Sequence, residues 1–208
     1  MAKKLMALLL TVALTTLAGC GSGADKASPA KSSEEASSVQ HETQAKDRKD
    51  RTGQTEQSEV GKSKIVHQKK GIGDKVTTGP FDIELTDAQV MTLEPSPDFK
   101  QMFGGKDKVT AITLAFKSEN KSDATNSIYL NQGTITTNTK EQKEADLLLS
   151  DDVGGDYIGN IEKNGQVYFI LDSPAEEITS ITFTADAPHD ENFSTLGEKV
   201  TFTVNFDK

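Results

Sequence analysis

The sequence has a single cysteine, Cys20, and no tryptophan among its 208 residues. One thiol cannot form an intramolecular disulfide, so any folded region must be stabilised by its core rather than by cross-links. The sequence also lacks CxxC and HExxH motifs and a glycine-rich phosphate loop. These are the short motifs of redox, zinc-protease and nucleotide chemistry. We therefore do not expect an enzyme.

Aromatic residues are missing from the first 80 positions, because all nine Phe and all three Tyr lie at or after Phe81. Residues 21–70 are rich in Ser, Lys, Glu, Gln, Ala, Thr and Asp. Such a segment buries too little apolar surface to offset the entropy of ordering its backbone. We predict a disordered linker over residues 20–70, in which His67 is an ordinary solvated side chain, followed by one folded domain over residues 71–208.

The most informative stretch is Leu17-Ala18-Gly19-Cys20, which ends an uncharged, mainly apolar run after a short cationic start. The run is shorter than the roughly 20 residues of a membrane-spanning helix, and its layout is that of a secretory signal. A leucine, two small residues and a cysteine form a lipobox. We predict that the signal peptide, residues 1–19, is cleaved between Gly19 and Cys20. The alternative is an ordinary signal peptide in which Cys20 has no role.

The predicted modification of Cys20 has a physical consequence for localisation. A single acyl chain holds a protein at a bilayer only marginally, whereas two chains anchor it stably. A diacylglyceryl group on Cys20 supplies two chains. We therefore expect a protein anchored to the cell membrane on its extracytoplasmic face, with residues 20–70 as a spacer that holds the domain away from the lipid.

Positive charge is scarce in the predicted domain. Residues 71–208 contain 11 basic and 24 acidic side chains, a net charge of −13. A domain this acidic repels phosphate backbones, so we do not expect a nucleic-acid partner. Solvation explains the acidic excess, and cation binding or a basic partner are the alternatives.

Alternating apolar and polar residues predict β-strands along the domain. The pattern is clear in Phe81-Asp82-Ile83-Glu84-Leu85 and in the last stretch, Val200 to Asp207. Gln166 to Leu171 is apolar almost throughout, which predicts a central strand entered through a tight turn at Asn164-Gly165. Leu147 to Leu149 is predicted to be a short strand. Seven or eight short strands indicate an all-β antiparallel sandwich.

One short helix is predicted among these strands. Ser96 is the expected N-cap and Pro97 the first helical residue. Phe99, Met102 and Phe103 then fall on one face. A helix this short must pack those side chains on the domain, so it is expected to cover the core.

The chain resembles the immunoglobulin-like domains of uncharacterised Gram-positive lipoproteins, grouped with the immunoprotective extracellular protein fold. The shared features are the lipobox, the polar linker and a set of turn-and-strand patterns. These patterns are Gly71-Ile72-Gly73-Asp74, Gly79-Pro80-Phe81-Asp82-Ile83, Val109 to Asn120 and Asn164 to Phe169. The resemblance implies an immunoglobulin-like sandwich displayed at the cell surface, with no catalytic residues to transfer.

Calcium is the best candidate for a small ligand. Asp151, Asp152 and Asp156 surround Gly154-Gly155 in a flexible acidic loop. Ca²⁺ takes six to eight oxygen ligands, although the spacing here is not that of an EF-hand. The alternative is that acidic loops are simply expected in a domain of this charge.

A second acidic group contains Asp186, His189, Asp190 and Glu191. His189, Ser194 and Asp186 are near one another in sequence, but a nucleophile also needs an oriented base, and no Gly-x-Ser-x-Gly motif is present. The leading hypothesis is a lipid-anchored, non-enzymatic domain that binds an envelope or extracellular protein. The alternative is a calcium-dependent ligand-binding or adhesion module that uses Asp151 to Asp156.

Overall fold

The computed structural model describes residues 50–206, which form a mostly β structure of antiparallel strands. Within those residues there are twelve strands and three short 3-10 helices. The strands are β1 (Thr55–Gln57), β2 (Gly61–Thr78), β3 (Phe81–Pro95), β4 (Val109–Asn120), β5 (Asn126–Tyr129), β6 (Thr134–Thr137), β7 (Gln142–Glu144), β8 (Gly154–Tyr157), β9 (Glu162–Leu171), β10 (Ser180–Ala185), β11 (His189–Asp190) and β12 (Val200–Asn205). The 3-10 helices are Lys100–Phe103, Leu130–Gln132 and Ala175–Glu177.

The strands form three sheets with antiparallel pairing. The largest has the order β1-β2-β3-β4-β9, the second β12-β10-β6-β7, and the third β11-β5-β8. β2 and β3 form a long hairpin that turns at Gly79, whose φ of 52° favours glycine. The prediction of an all-β antiparallel sandwich is confirmed.

The core lies between the first two sheets, where aromatic rings from opposite layers meet. The ring of Phe116 in β4 lies 4.8 Å from that of Phe183 in β10, and Phe169 in β9 packs edge-on against Phe183. All three side chains are buried. Each such side chain contributes roughly 1.5–3 kcal/mol through the hydrophobic effect. The period-two pattern of the sequence directs these rings to one face.

The prediction of a disordered linker over residues 20–70 is wrong in its last part. β1 and the first ten residues of β2 lie there, and β2 pairs with β3 from Gly61 onwards. Ile65 is buried, and the ring of His67 stacks on Phe206 with centroids 5.9 Å apart. A long neighbouring strand supplies the backbone partners of this polar segment, which its composition does not reveal. Residues 20–49 lie outside the described range.

The predicted helix is wrong in type and in its start. The segment Lys100–Phe103 is a 3-10 helix preceded by Phe99, and only Phe103 among its residues is buried. The Ser96 hydroxyl instead donates a hydrogen bond to the carbonyl oxygen of Glu59 at 2.8 Å. Phe103 packs in a small separate cluster with Leu93 and Val109.

Two strand predictions and one turn prediction also need correction. Leu147–Leu149 form a turn, because the Asp146 carboxylate accepts hydrogen bonds from the backbone amides of Leu148 and Leu149. Asn164 and Gly165 lie within β9, opposite Lys117 and Phe116 of β4. β9 is hydrogen-bonded only to β4 in its sheet, so it is an edge strand rather than a central one.

The strand count of seven or eight was too low for the described residues. Several additional strands have only two to four residues, among them β1, β7 and β11. Their residues are mainly polar, so they show no alternating apolar pattern. Pairing with longer neighbours stabilises them instead.

Candidate functional site

The predicted lipidation site, Gly19 and Cys20, lies outside the described residues and stays a prediction. Within residues 50–206, no helix has the length and apolar character needed to cross a bilayer.

The predicted calcium ligands of the acidic loop each serve a different part of the fold. Asp151 Oδ2 accepts a hydrogen bond of 2.8 Å from the backbone amide of Gln166. Asp156 Oδ1 accepts one of 2.6 Å from the hydroxyl of Ser127, across the β5–β8 pair. These two carboxylates thus stabilise the β8–β9 region and the third sheet, respectively.

A lysine takes part in the same acidic loop. Lys163 Nζ donates a hydrogen bond to the carbonyl oxygen of Gly154 and lies 3.6 Å from a carboxylate oxygen of Asp152. The same ammonium group lies 4.8 Å from the ring centroid of Tyr157. Within residues 50–206, no group of three or more His, Cys, Asp or Glu side chains is placed to hold a metal ion. The structure therefore does not bring together the three carboxylates that the calcium prediction requires.

Within the second acidic group, Asp186 has its own partner, whereas His189, Asp190 and Glu191 lie at one cleft. An Asp186 carboxylate oxygen lies 2.9 Å from Lys199 Nζ. His189 Nδ1 lies 2.9 Å from the carbonyl oxygen of Asp190, and its ring contacts aromatic side chains. No described hydrogen bond joins His189 to Asp186 or to the Ser194 hydroxyl. A Ser-His-Asp catalytic arrangement is not formed here.

An aromatic cleft opens beside the third sheet, at the end of β5 and along β11. The His189 ring stacks on Tyr129 with centroids 5.8 Å apart, and Phe193 lies 5.2 Å from His189 on centroids. The cleft has a volume of about 330 Å³. Its lining comprises Thr125, Ser127, Tyr129, Asp156, His189, Asp190, Glu191 and Phe193.

A turn held by Asp190 presents Phe193 at the cleft. The Asp190 carboxylate accepts hydrogen bonds of 2.8 Å from the backbone amides of Ser194 and Asn192. These bonds, that from Ser194 first, hold the pKa of Asp190 below its usual value and keep it ionised. Phe193 has a φ of 60° and its side chain is 80% exposed. Left-handed backbone is unusual for a bulky residue.

The cleft carries carboxylates that have no lysine or arginine partner among residues 50–206. Asp156, Asp190 and Glu191 line it. Among the ion pairs of residues 50–206, none joins these three carboxylates to a lysine or arginine. Elsewhere in the domain several carboxylates do have such partners, for example Glu162 with Lys117. The cleft thus combines three aromatic side chains, of which Phe193 is exposed, with carboxylates that have no lysine or arginine partner among residues 50–206.

Sequence reasoning singled out Asp190, Glu191 and His189 but missed Tyr129 and Phe193. Tyr129 lies 60 positions before His189 in the chain, and only the β5–β11 pairing brings their rings together. Phe193 did carry a signal, because it is a lone aromatic residue in the polar segment Asp190-Glu191-Asn192-Phe193-Ser194-Thr195.

No family model matches this chain. It is similar to the SPbeta prophage-derived uncharacterized lipoprotein YonS of Bacillus subtilis (strain 168), with 26% identity over 99 residues. The match covers 46% of this chain and 49% of that protein, so the chain spans about half the length of its curated relative.

A solved structure shares the β fold at low sequence identity. A functionally unknown protein from Listeria monocytogenes EGD-e superposes with a TM-score of 0.54 at 12% identity, covering 71% of this chain and 89% of that one. The ycdA protein of Bacillus subtilis subsp. subtilis strain 168 gives a TM-score of 0.46 at 12% identity, over 67% of this chain and 40% of that one. The first likeness supports the fold alone. Taken together, the comparisons make this chain similar in sequence to a lipoprotein of uncharacterized function.

Proposed function

We propose that the chain is a bacterial lipoprotein, anchored to the extracytoplasmic face of the cell membrane by a diacylglyceryl group on Cys20. The observation that carries this proposal is the lipobox Leu17-Ala18-Gly19-Cys20 after an uncharged apolar run. Similarity to a Bacillus lipoprotein supports it independently. Two acyl chains anchor a protein stably without a spanning helix.

We further propose that the β domain is a non-enzymatic binding module with an immunoglobulin-like topology. Loops and edges of a rigid sandwich are common recognition surfaces. The open aromatic cleft supports binding, and the pairing of Asp186 with Lys199 rather than with His189 supports a role other than hydrolysis. The calcium-dependent alternative gains no support from the separate partners of Asp151, Asp152 and Asp156.

The anchor is tested by replacing the modified residue. Cys20→Ala should move the protein from the membrane fraction to the medium and abolish incorporation of radiolabelled palmitate. Ser22→Ala, a substitution two residues away, is the matched control and should leave both properties unchanged. Membrane retention of Cys20→Ala protein would contradict the proposal.

The binding role is tested by crosslinking in cells, followed by mass spectrometry of proteins joined to the full anchored chain. A specific envelope protein captured by the native chain, and lost with Cys20→Ala, is the expected result. Capture of only abundant membrane neighbours, in the same proportions for both forms, would contradict a dedicated binding module.

A further inference from the structure

We propose that the aromatic cleft is the recognition site of this domain, and that it binds the cationic side chain of a lysine or arginine on a partner protein. This inference rests on the proposed binding function and adds to it the site and the chemistry of the ligand. Three features of the cleft support it, namely the faces of the rings, the carboxylates without a lysine or arginine partner, and the size of the opening.

The rings provide an electrostatically suited surface. Tyr129, His189 and Phe193 lie in a row with centroid separations of 5.8 and 5.2 Å. The interplanar angle is 27° for the stacked pair Tyr129–His189 and 32° for the tilted pair His189–Phe193. The face of an aromatic ring carries negative potential and attracts ammonium or guanidinium groups within about 6 Å of its centroid. The exposed Phe193 therefore offers a cation a face that the domain itself leaves unused.

Carboxylates at the same opening select for positive charge. Asp190 is kept ionised by the amide hydrogen bonds of its turn, while Glu191 is exposed next to it. Asp156 faces the cleft from β8 and accepts its hydrogen bond from neutral Ser127. None of the three is neutralised by a lysine or arginine of residues 50–206. A basic side chain would complement both this charge and the rings.

The dimensions of the cleft suit one side chain. Its volume of about 330 Å³ is near the lower limit of small-molecule pockets, which span roughly 300–1,000 Å³. The hydroxyl groups of Ser127 and Thr125 are further polar groups in the lining. The opening therefore has room for one extended lysine or arginine side chain.

The backbone conformation of Phe193 is energetically unfavourable for phenylalanine, which argues for a role of this residue in recognition. A φ of 60° is readily adopted by glycine but strained for phenylalanine. Its side chain is mostly exposed, so burial does not offset this strain. Unfavourable backbone conformations of this kind cluster at functional sites. Phe193→Gly should therefore preserve or raise the melting temperature while removing the binding surface.

The test measures binding of a fluorescein-labelled peptide with two lysines to the full anchored protein in detergent micelles, by fluorescence anisotropy at 150 mM NaCl. The acetyl-lysine form of the peptide is the uncharged control. Phe193→Gly should weaken binding about tenfold, and Glu191→Gln should weaken it and reduce its salt dependence. Leu148→Ala and Glu59→Gln, at exposed positions outside the cleft, are the matched controls and should bind as the native protein does.

Several outcomes would overturn the inference. The first is equal binding of the acetylated peptide, and the second is native affinity in a folded Phe193→Gly protein. The third is displacement of the labelled peptide by choline at a concentration comparable with that of the peptide. The last would assign the cleft to small cations. Cellular crosslinking separates this failure from failure of the proposed function. If native and Phe193→Gly proteins capture the same specific partner, the binding role stands and the cleft assignment falls.

Discussion

The side-chain amide of Asn120 donates a hydrogen bond of 2.9 Å to the carbonyl oxygen of Gly159, which ties the end of β4 to the loop after β8. The same amide group donates to the carbonyl oxygen of Ala124 at 2.9 Å, and Asn120 Oδ1 accepts from the amide of Ser122 at 3.1 Å. Asn120 itself is fully buried. One polar side chain thus holds two loops at this end of the sandwich.

Asn120→Ala is expected to lower the free energy of unfolding by about 2–3 kcal/mol, because it removes a fully buried side chain together with its several hydrogen bonds to the two loops. Urea unfolding followed by circular dichroism measures this change. Asn160→Ala is the control, since Asn160 is exposed and makes only a long contact of 3.4 Å to Lys121. A loss below about 0.5 kcal/mol for Asn120→Ala would show that the network contributes little.

The sandwich could be predicted because its core strands follow a local pattern, in which apolar and polar residues alternate. Phe81, Ile83 and Leu85 alternate with polar residues and are all buried, as the pattern requires. The first half of β2 breaks this pattern. There Ile65 is the only buried apolar residue among lysines, glutamines and serines, so the strand depends on hydrogen bonds to β3 that only the folded structure reveals.

The candidate site was harder to predict because closeness in sequence differs from closeness in space. Asp151 and Asp156 are five positions apart, yet one bonds β9 and the other bonds β5. His189 and Tyr129 are distant in sequence, yet their rings stack. Composition identified an acidic domain that could take a basic partner, but the aromatic faces depend on long-range strand pairing.

The environment of the Glu141 carboxylate predicts that part of the free energy of unfolding depends on pH. Burial alone would raise its pKa, but hydrogen bonds from the backbone amides of Asp172 (2.9 Å) and Ser173 (2.8 Å) outweigh that effect and lower the pKa below its ordinary value of 4.5. A lowered pKa in the folded state stabilises the fold above the unfolded pKa, and this contribution is lost as the pH falls through the folded pKa.

Glu141→Gln is therefore expected to lower the free energy of unfolding by about 1–2 kcal/mol near pH 7. Below about pH 4 the difference in this free energy between the variant and the native protein should become smaller. Thermal melts at several pH values measure it. Glu144→Gln, at an exposed position of β7, should behave as the native protein does at every pH. A Glu141→Gln deficit that is constant from pH 7 to pH 3 would contradict the assigned role of the charge.

The burial of Tyr157 predicts that the free energy of unfolding decreases as the pH rises in the alkaline range. Its side chain is fully buried against Phe81, with ring centroids 5.0 Å apart, and burial raises its pKa from 10 to about 12. The unfolded chain therefore releases this proton first, so stability falls as the pH rises from about 10 towards 12. At pH 11 the loss attributable to Tyr157 is on the order of 1 kcal/mol.

Tyr157→Phe removes that titration and the buried hydroxyl, whose contact with Ser118 falls short of hydrogen-bond geometry. Its stability at pH 8 should be close to native, since no hydrogen bond is lost. At pH 11 it should exceed the native stability. Urea unfolding at the two pH values tests this, and equal losses in both proteins between pH 8 and pH 11 would contradict it.

The start of the folded domain can be tested through Ile65, which is 2% exposed in β2. Ile65→Ala is expected to lower the free energy of unfolding by about 2–4 kcal/mol, because it removes a buried side chain and leaves a cavity. Val66→Ala, at the half-buried neighbouring position, should cost less. A chain beginning at residue 71 should show a still larger decrease in the free energy of unfolding. It lacks the β2–β3 pairing from Gly61 to Lys70 and the stacking of His67 on Phe206. If that chain melts at the native temperature, residues 61–70 add nothing to the core and act as part of the linker after all.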